Sequence, residues 1–234
     1  MSTLKVDTIT DEAGTGAPTL SQGLTVAGNL SVDGGTIKLD GNYPVGSYNV
    51  ALGDNAGAAI TTGGDNNVFV GADAAPVNTT GSRQVFVGRG AGFVNTTGND
   101  NSGIGWAALG GNTTGASNTA IGASALYSNT TASNNTAVGN KAGYSNTTSQ
   151  RNTLIGHFSG YFVTGGYNTF VGQDSGSLVT TGSKNTIIGA FDGNQGGLDI
   201  RTSSNNIVLS DGDGNNRLHN TLYGSNYTWW AGNG

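Results

Sequence analysis

The chain has 234 residues with no Cys, three Pro, 42 Gly and only 10% charged residues, for a net charge of −5. Without Cys there are no disulfides, thiolate metal sites or Cys nucleophiles, and nine scattered Lys and Arg argue against nucleic acid, which demands clustered cations. No run approaches the ~18 apolar residues of a membrane span, so no membrane insertion is expected, and Met1-Ser2-Thr3-Leu4-Lys5 lacks the apolar stretch of a secretory signal.

Residues 1–45 alternate apolar and polar side chains in short stretches, first at Leu4-Lys5-Val6-Asp7-Thr8-Ile9 and again from Leu24 to Leu39. That is the period of half-exposed strands, broken by Gly-Asn and Asp-Gly-Gly turn chemistry. Strands this few and short cannot bury a core alone. They are expected to intertwine with copies of themselves or to dock on a larger assembly.

From 46 to 193 one phrase is rewritten continuously. Its clearest form is Asn118-Thr119-Ala120-Ile121-Gly122, and matching segments end at Gly53, Gly71, Gly88, Gly105, Gly139, Gly156, Gly172 and Gly189. The spacings are 18, 17, 17, 17, 17, 17, 16 and 17 residues. Gly, 28 Asn and 30 Thr make up 100 residues, a bias that could mean low complexity, but a fixed period with an invariably aliphatic position argues for ordered turns. The expectation is an all-β parallel β-solenoid, or β-roll, of about nine 17-residue coils. Each coil would give a short strand ending at Gly, a stretch of small residues, a second short strand and a Thr-Thr-Gly turn. Stacked at ~4.8 Å, nine coils make a rod of about 40 Å.

One place before each anchor Gly stand Leu52, Val70, Val87, Ile104, Ile121, Val138, Ile155, Val171 and Ile188, which are expected to form the core column. Four places before stand Asn49, Asn67, Asn101, Asn118, Asn135, Asn152, Asn168 and Asn185, with Gln84 in the remaining coil, an expected amide ladder. Two places before, on the opposite face of the strand, every residue is also apolar or Gly, from Ala51 and Phe69 to Ile187. A thin coil has one interior. The second apolar face is therefore expected to pack against other chains, in a homotrimer around a central axis.

The Asn-Thr-Ala-Ile-Gly-x-x-Ala pattern resembles the head repeats of trimeric autotransporter adhesins, whose heads are trimeric left-handed parallel β-rolls with a shorter unit. The stretches Ser2–Ile9, Leu24–Leu30 and Ser204–Asn215 resemble tail-fibre-like proteins of bacteriophages, especially those of marine cyanobacteria. Together the resemblances cover most of the chain. They imply a virion fibre made in the host cytoplasm, working outside the cell, held through its N-terminus to other tail or baseplate proteins and contacting a host-surface glycan.

Residues 194–234 read as a cap or tip. Tyr223, Tyr227, Trp229 and Trp230 lie among Asn, Ser and Thr, a mixture that suits sugar rings and hydroxyls and equally suits closing a trimeric core. Tyr127, Tyr144 and Tyr161, each five places after an anchor, are expected to form a surface column that packs or offers a lateral glycan site. Asp211, Asp213 and Asn215 alternate like Ca²⁺ ligands, but Asn216 replaces the loop Gly and Leu222 the closing Glu, so an Asx-rich turn is the stronger reading and no cofactor is expected. Ile121-Gly122-Ala123-Ser124-Ala125-Leu126 also fits the hexapeptide unit of β-helix acyltransferases, yet it occurs once per coil rather than every sixth residue. The candidate bases, His157 and His219, have no orienting carboxylate nearby in sequence. The expected function is non-enzymatic host attachment. The alternatives are a purely structural head or tail fibre or decoration, and a hexapeptide-type transferase.

Overall fold

The computed structural model describes residues 47–223 and 226–230, with side chains described as far as Leu218. The N-terminal strands expected within 1–45 lie outside the described residues. Within them the chain is all-β, with no helix.

Nine three-residue strands, one per repeat, stack in parallel: β1 (Val50–Leu52), β2 (Val68–Val70), β3 (Val85–Val87), β4 (Ser102–Ile104), β5 (Thr119–Ile121), β6 (Thr136–Val138), β7 (Thr153–Ile155), β8 (Thr169–Val171) and β9 (Thr186–Ile188). Each pairs with the next in strict register, so that Ala120 lies over Ala137 and Ile121 over Val138. The chain is thus a parallel β-solenoid. A short antiparallel pair, β10 (Asn194–Gln195) and β11 (Leu198–Asp199), is inserted in the coil that follows β9. Around it the coil-to-coil bonds continue, from Gly176 N to Phe191 O, Thr180 N to Arg201 O and Asn205 N to Ser183 O. The next strand, β12 (Asn206–Ser210), joins β9 in parallel as a further rung. An antiparallel meander of β12, β13 (Asn216–Tyr223) and β14 (Asn226–Trp230) completes a 12-stranded sheet.

The second strand expected in each coil is absent among the described residues, where each return path consists of turns instead. Three columns of left-handed backbone make the corners, one of them four places after the anchor and including Ala75, Leu109 and Leu126. Of the other two, one just before the buried Asn or Gln includes Arg83, Asp100, Ser117 and Asn134, and one two places after the anchor includes Asp73, Ser124, Lys141 and Phe158. Non-Gly residues in this conformation are unfavourable singly, and here each is held by backbone bonds to the neighbouring coil, such as Lys141 N to Ala123 O at 2.9 Å. The anchor Gly meets a stricter demand. Gly53 has φ of +133°, and a Cβ there would lie 2.6 Å from the backbone carbonyl carbon of Gly71 in the next coil.

The core lies on the other face of the strands from the one expected. Phe69, Phe86, Ala120, Ala137, Leu154, Phe170 and Ile187, two places before the anchor, are fully buried inside the coil. The expected core column is on the outside: Leu52, Ile104, Ile121, Ile155 and Ile188 are 39–49% exposed, and Val70, Val87, Val138 and Val171 are half-buried. The reason is the anchor Gly, whose turn leads the chain inward past the small Ala column (Ala74, Ala91, Ala108, Ala125 and Ala142), so the coil encloses the side facing that column.

In most coils interior volume is balanced between two positions, although Ala51 with Gly57 and Ala137 with Gly143 are small at both. A large residue two before the anchor is matched by Gly six residues later, as in Phe86 with Gly92, Leu154 with Gly160 and Phe170 with Gly176; Gly103 and Ala120 are matched by Leu109 and Leu126. A Cβ on Gly92 would come within 2.6 Å of the Phe86 ring.

Much of the remaining interior is amide. Asn49, Asn67, Asn101, Asn118, Asn135, Asn152, Asn168 and Asn185 are buried, and each tethers side chain to backbone. The Oδ1 of Asn101 accepts from the Asn118 N–H at 3.0 Å, while Asn101 Nδ2 donates to the Gly115 carbonyl at 2.8 Å. A second column, Asn78, Asn95, Asn112, Asn129 and Asn146, is bonded amide to amide along the axis, with Asn112 Nδ2 to Asn95 Oδ1 and Asn129 Nδ2 to Asn112 Oδ1 both at 2.7 Å. Gln84, one methylene longer than the Asn it replaces, reaches across from the first column to Asn78 and Asn95.

Candidate functional site

The outer surface carries two continuous features. The first is the aliphatic stripe just described, extended by Leu209, which pairs with Ile188 and is 38% exposed. The second is aromatic. Tyr127, Tyr144 and Tyr161 stack with centroid separations of 5.3 and 5.1 Å and ring planes within 7° and 3°, the surface column expected of them. Phe158 and Phe162 meet Tyr161 edge-on, and the Lys141 ammonium lies 5.5 Å from the Phe158 ring.

Followed downwards, the position held by these tyrosines is taken by Gly110 and then by Phe93. The coil-to-coil bonds Gly111 N to Tyr127 O and Val94 N to Gly110 O fix Phe93, Gly110 and Tyr127 on three successive coils. The missing ring leaves a cleft of about 180 Å³ between Phe93 and Tyr127, flanked by Trp106, Arg89 and Asp73. Trp106 is 55% exposed. The column's other end also opens, beside Tyr161 and Phe162, where Ser177 takes the ring position.

The Asp211 loop is an Asx-rich turn closed by an ion pair. Asp211 Oδ1 accepts from the Asp213 and Asn215 backbone N–H groups at 3.1 and 2.9 Å, and Oδ2 accepts from Arg217 Nε at 3.0 Å. Partial desolvation opposes the charged form. Hydrogen bonds from Asn215, Arg217 and the Asp213 amide outweigh it and hold the carboxyl down at about 2. Both Asp211 carboxylate oxygens are thus engaged, and among the described residues no three His, Cys, Asp or Glu side chains come together as metal ligands. Asp199 is likewise held down to about 2 by the Arg201 side chain and backbone. The Arg83 guanidinium lowers the Asp100 carboxyl in the same way.

His157 is exposed and its ring packs on Phe158, at 4.0 Å between centroids. His219 is paired with Trp230, and Asn220 with Trp229, in the backbone register of β13 and β14. The side chains of His219, Leu222, Tyr223, Tyr227, Trp229 and Trp230 lie outside the described residues. The structure therefore brings together Tyr127, Tyr144 and Tyr161 and adds Phe93, Trp106 and Gly110, which the sequence reading did not single out. For Phe93 and Gly110 the signal was the same register, five places after Gly88 and Gly105; Trp106 stands one place after Gly105.

The chain matches no protein-family model, no curated protein and no solved structure.

Proposed function

We propose that the chain is a non-enzymatic virion fibre protein, a homotrimeric solenoid that attaches to a glycan on the host surface. Residues 1–45 join it to tail or baseplate proteins, and the assembled particle works outside the cell.

The observation that carries this reading is the aliphatic stripe, one Leu, Val or Ile per coil from Leu52 to Leu209. Its ten rungs at the strand spacing make about 45 Å of exposed apolar surface in a single line. A line in step with the repeat is best covered by the same line on another copy. Rotation about an axis parallel to the rods keeps every rung in register and leaves every first coil at the same end. Three copies match the adhesin-like repeat. The attachment reading follows from the phage-fibre resemblance together with the exposed aromatic surfaces, and three copies turn weak sugar contacts into avidity.

The test is binding of the intact chain to an array of bacterial surface polysaccharides. Binding to at least one class is expected. If no polysaccharide is retained, attachment is refuted and a purely structural fibre is left.

A further inference from the structure

We propose that the empty ring position at Gly110 is a lateral binding site for one pyranose ring of a surface saccharide. This rests on the attachment reading above and assigns it a place and a ligand class.

Gly110 is not demanded by φ, which is outside the left-handed region, and the equivalent residues 93, 127, 144 and 161 all carry rings; a Cβ there would lie 3.1 Å from the Ala107 carbonyl oxygen and from the Tyr127 ring, which leans over the open position and must shift slightly to admit a side chain. What Gly contributes is room. Phe93 and Tyr127 lie two coils apart, about 10 Å along the axis by the strand spacing. Tyr127 stacks on Tyr144 through one face and turns the other to the gap. The coil that loses its ring at 110 also gains Trp106, at a position held by Ala, Asn, Gln, Asp, Arg or His in the other coils.

The width sets the size of the occupant. One tyrosine ring fills a step of 5.1–5.3 Å in this column, so the gap takes one ring at about 5 Å from each neighbour. A flat aromatic ring fits that width as the tyrosines themselves do, and so does a pyranose ring, so the choice between them falls to the rim. The rim is polar in the manner hydroxyls need. Asp73 offers an acceptor, and the exposed Arg89 guanidinium pairs with no carboxylate among the described residues, unlike those of Arg83, Arg201 and Arg217.

The experiment uses the full chain with D-galactose, D-mannose, L-rhamnose and N-acetyl-D-glucosamine as probes, read by saturation-transfer NMR, beside the polysaccharide array. At least one sugar should bind. Gly110→Tyr, which completes the aromatic column, should weaken it about tenfold or more, and Trp106→Ala, which leaves the column intact, should weaken it comparably. Undiminished sugar binding in both variants overturns the site. If Trp229→Ala abolishes it instead, attachment stands with its contact on the terminal hairpin. Array binding without binding of any single sugar overturns the one-ring slot, as does tighter binding of p-cresol than of every sugar. A silent array removes the attachment reading and this site together.

Discussion

Asn146 donates its amide to Oδ1 of Asn129 in the preceding coil, yet no protein group donates to Oδ1 of Asn146, because Val163 stands where the next asparagine would be. The amide column runs one way, each Nδ2 reaching back one coil, so its last member must carry an unsatisfied acceptor. Replacing Asn146 by Val removes that orphan and creates one at Asn129. Replacing Asn112 by Val leaves the orphan at Asn146 and adds another at Asn95. Asn112→Val is therefore expected to cost about 1–3 kcal/mol more than Asn146→Val in urea unfolding, the worth of one buried unpaired acceptor. Equal losses would show that the column is held otherwise.

The Phe86 and Gly92 pair should behave as a unit. Phe86→Gly empties a fully buried site and is expected to cost about 4 kcal/mol or more. Gly92→Leu drives a side chain into the Phe86 ring and is expected to cost about 3 kcal/mol. The double variant reproduces the Gly103 and Leu109 pair of the next coil, where Leu109 holds the same left-handed φ of 54°. Its loss should fall short of the sum by at least about 1 kcal/mol. Simple additivity would contradict the volume balance.

Two glycines with positive φ should respond differently to alanine. At Gly122, φ is +136° and a Cβ would lie 2.6 Å from the Gly139 carbonyl carbon, so Gly122→Ala is expected to cost about 4 kcal/mol or to prevent folding. At Gly90, φ is +68° with nothing within 4 Å, and equivalent coils hold Ser124 and Lys141, so Gly90→Ala should cost about 1 kcal/mol. Thermal unfolding of the two variants distinguishes stacking from conformation as the requirement.

Acid stability follows from Asp199 and Asp211, both held at about 2 against an ordinary 3.8. A carboxyl whose folded pKa is depressed contributes stability that is fully present above its unfolded pKa and lost as pH falls towards the folded value. The urea midpoint should be level from neutrality to about pH 5 and fall between about pH 4 and 2. The fall should be shallower in the Asp199→Asn, Asp211→Asn double variant, and an unchanged profile would mean that these turns do not couple to global unfolding.

The period, the parallel stacking and the buried Asn column were legible because a stacked coil repeats its chemistry at each rung. Which face of the strand is inside was not. Ile121 and Ala120 are both apolar, and the uniform Leu, Val and Ile column looks more like a core than one that runs from Gly103 to Phe86. The structure shows why the variable column is interior: Leu109 and Gly92 compensate its changes six residues later, and β-branched residues suit an exposed strand position as well as a buried one. The second amide column was hidden in Asn-Thr-Thr, which reads as turn chemistry although Asn78, Asn95 and Asn112 keep the 17-residue step. The cleft at Gly110 was illegible for a different reason. It is a residue's absence from a column, visible only once Phe93 and Tyr127 are known to share one.

The homotrimer is tested most directly by the solution mass of the intact chain, measured by light scattering beside circular dichroism. The account predicts three times the 23.4 kDa chain mass, and one chain mass with the β signal retained in the Ile104→Glu, Ile121→Glu double variant. A wild-type monomer with the same β signal would contradict it, leaving the aliphatic stripe exposed to water and the fibre reading without its physical support.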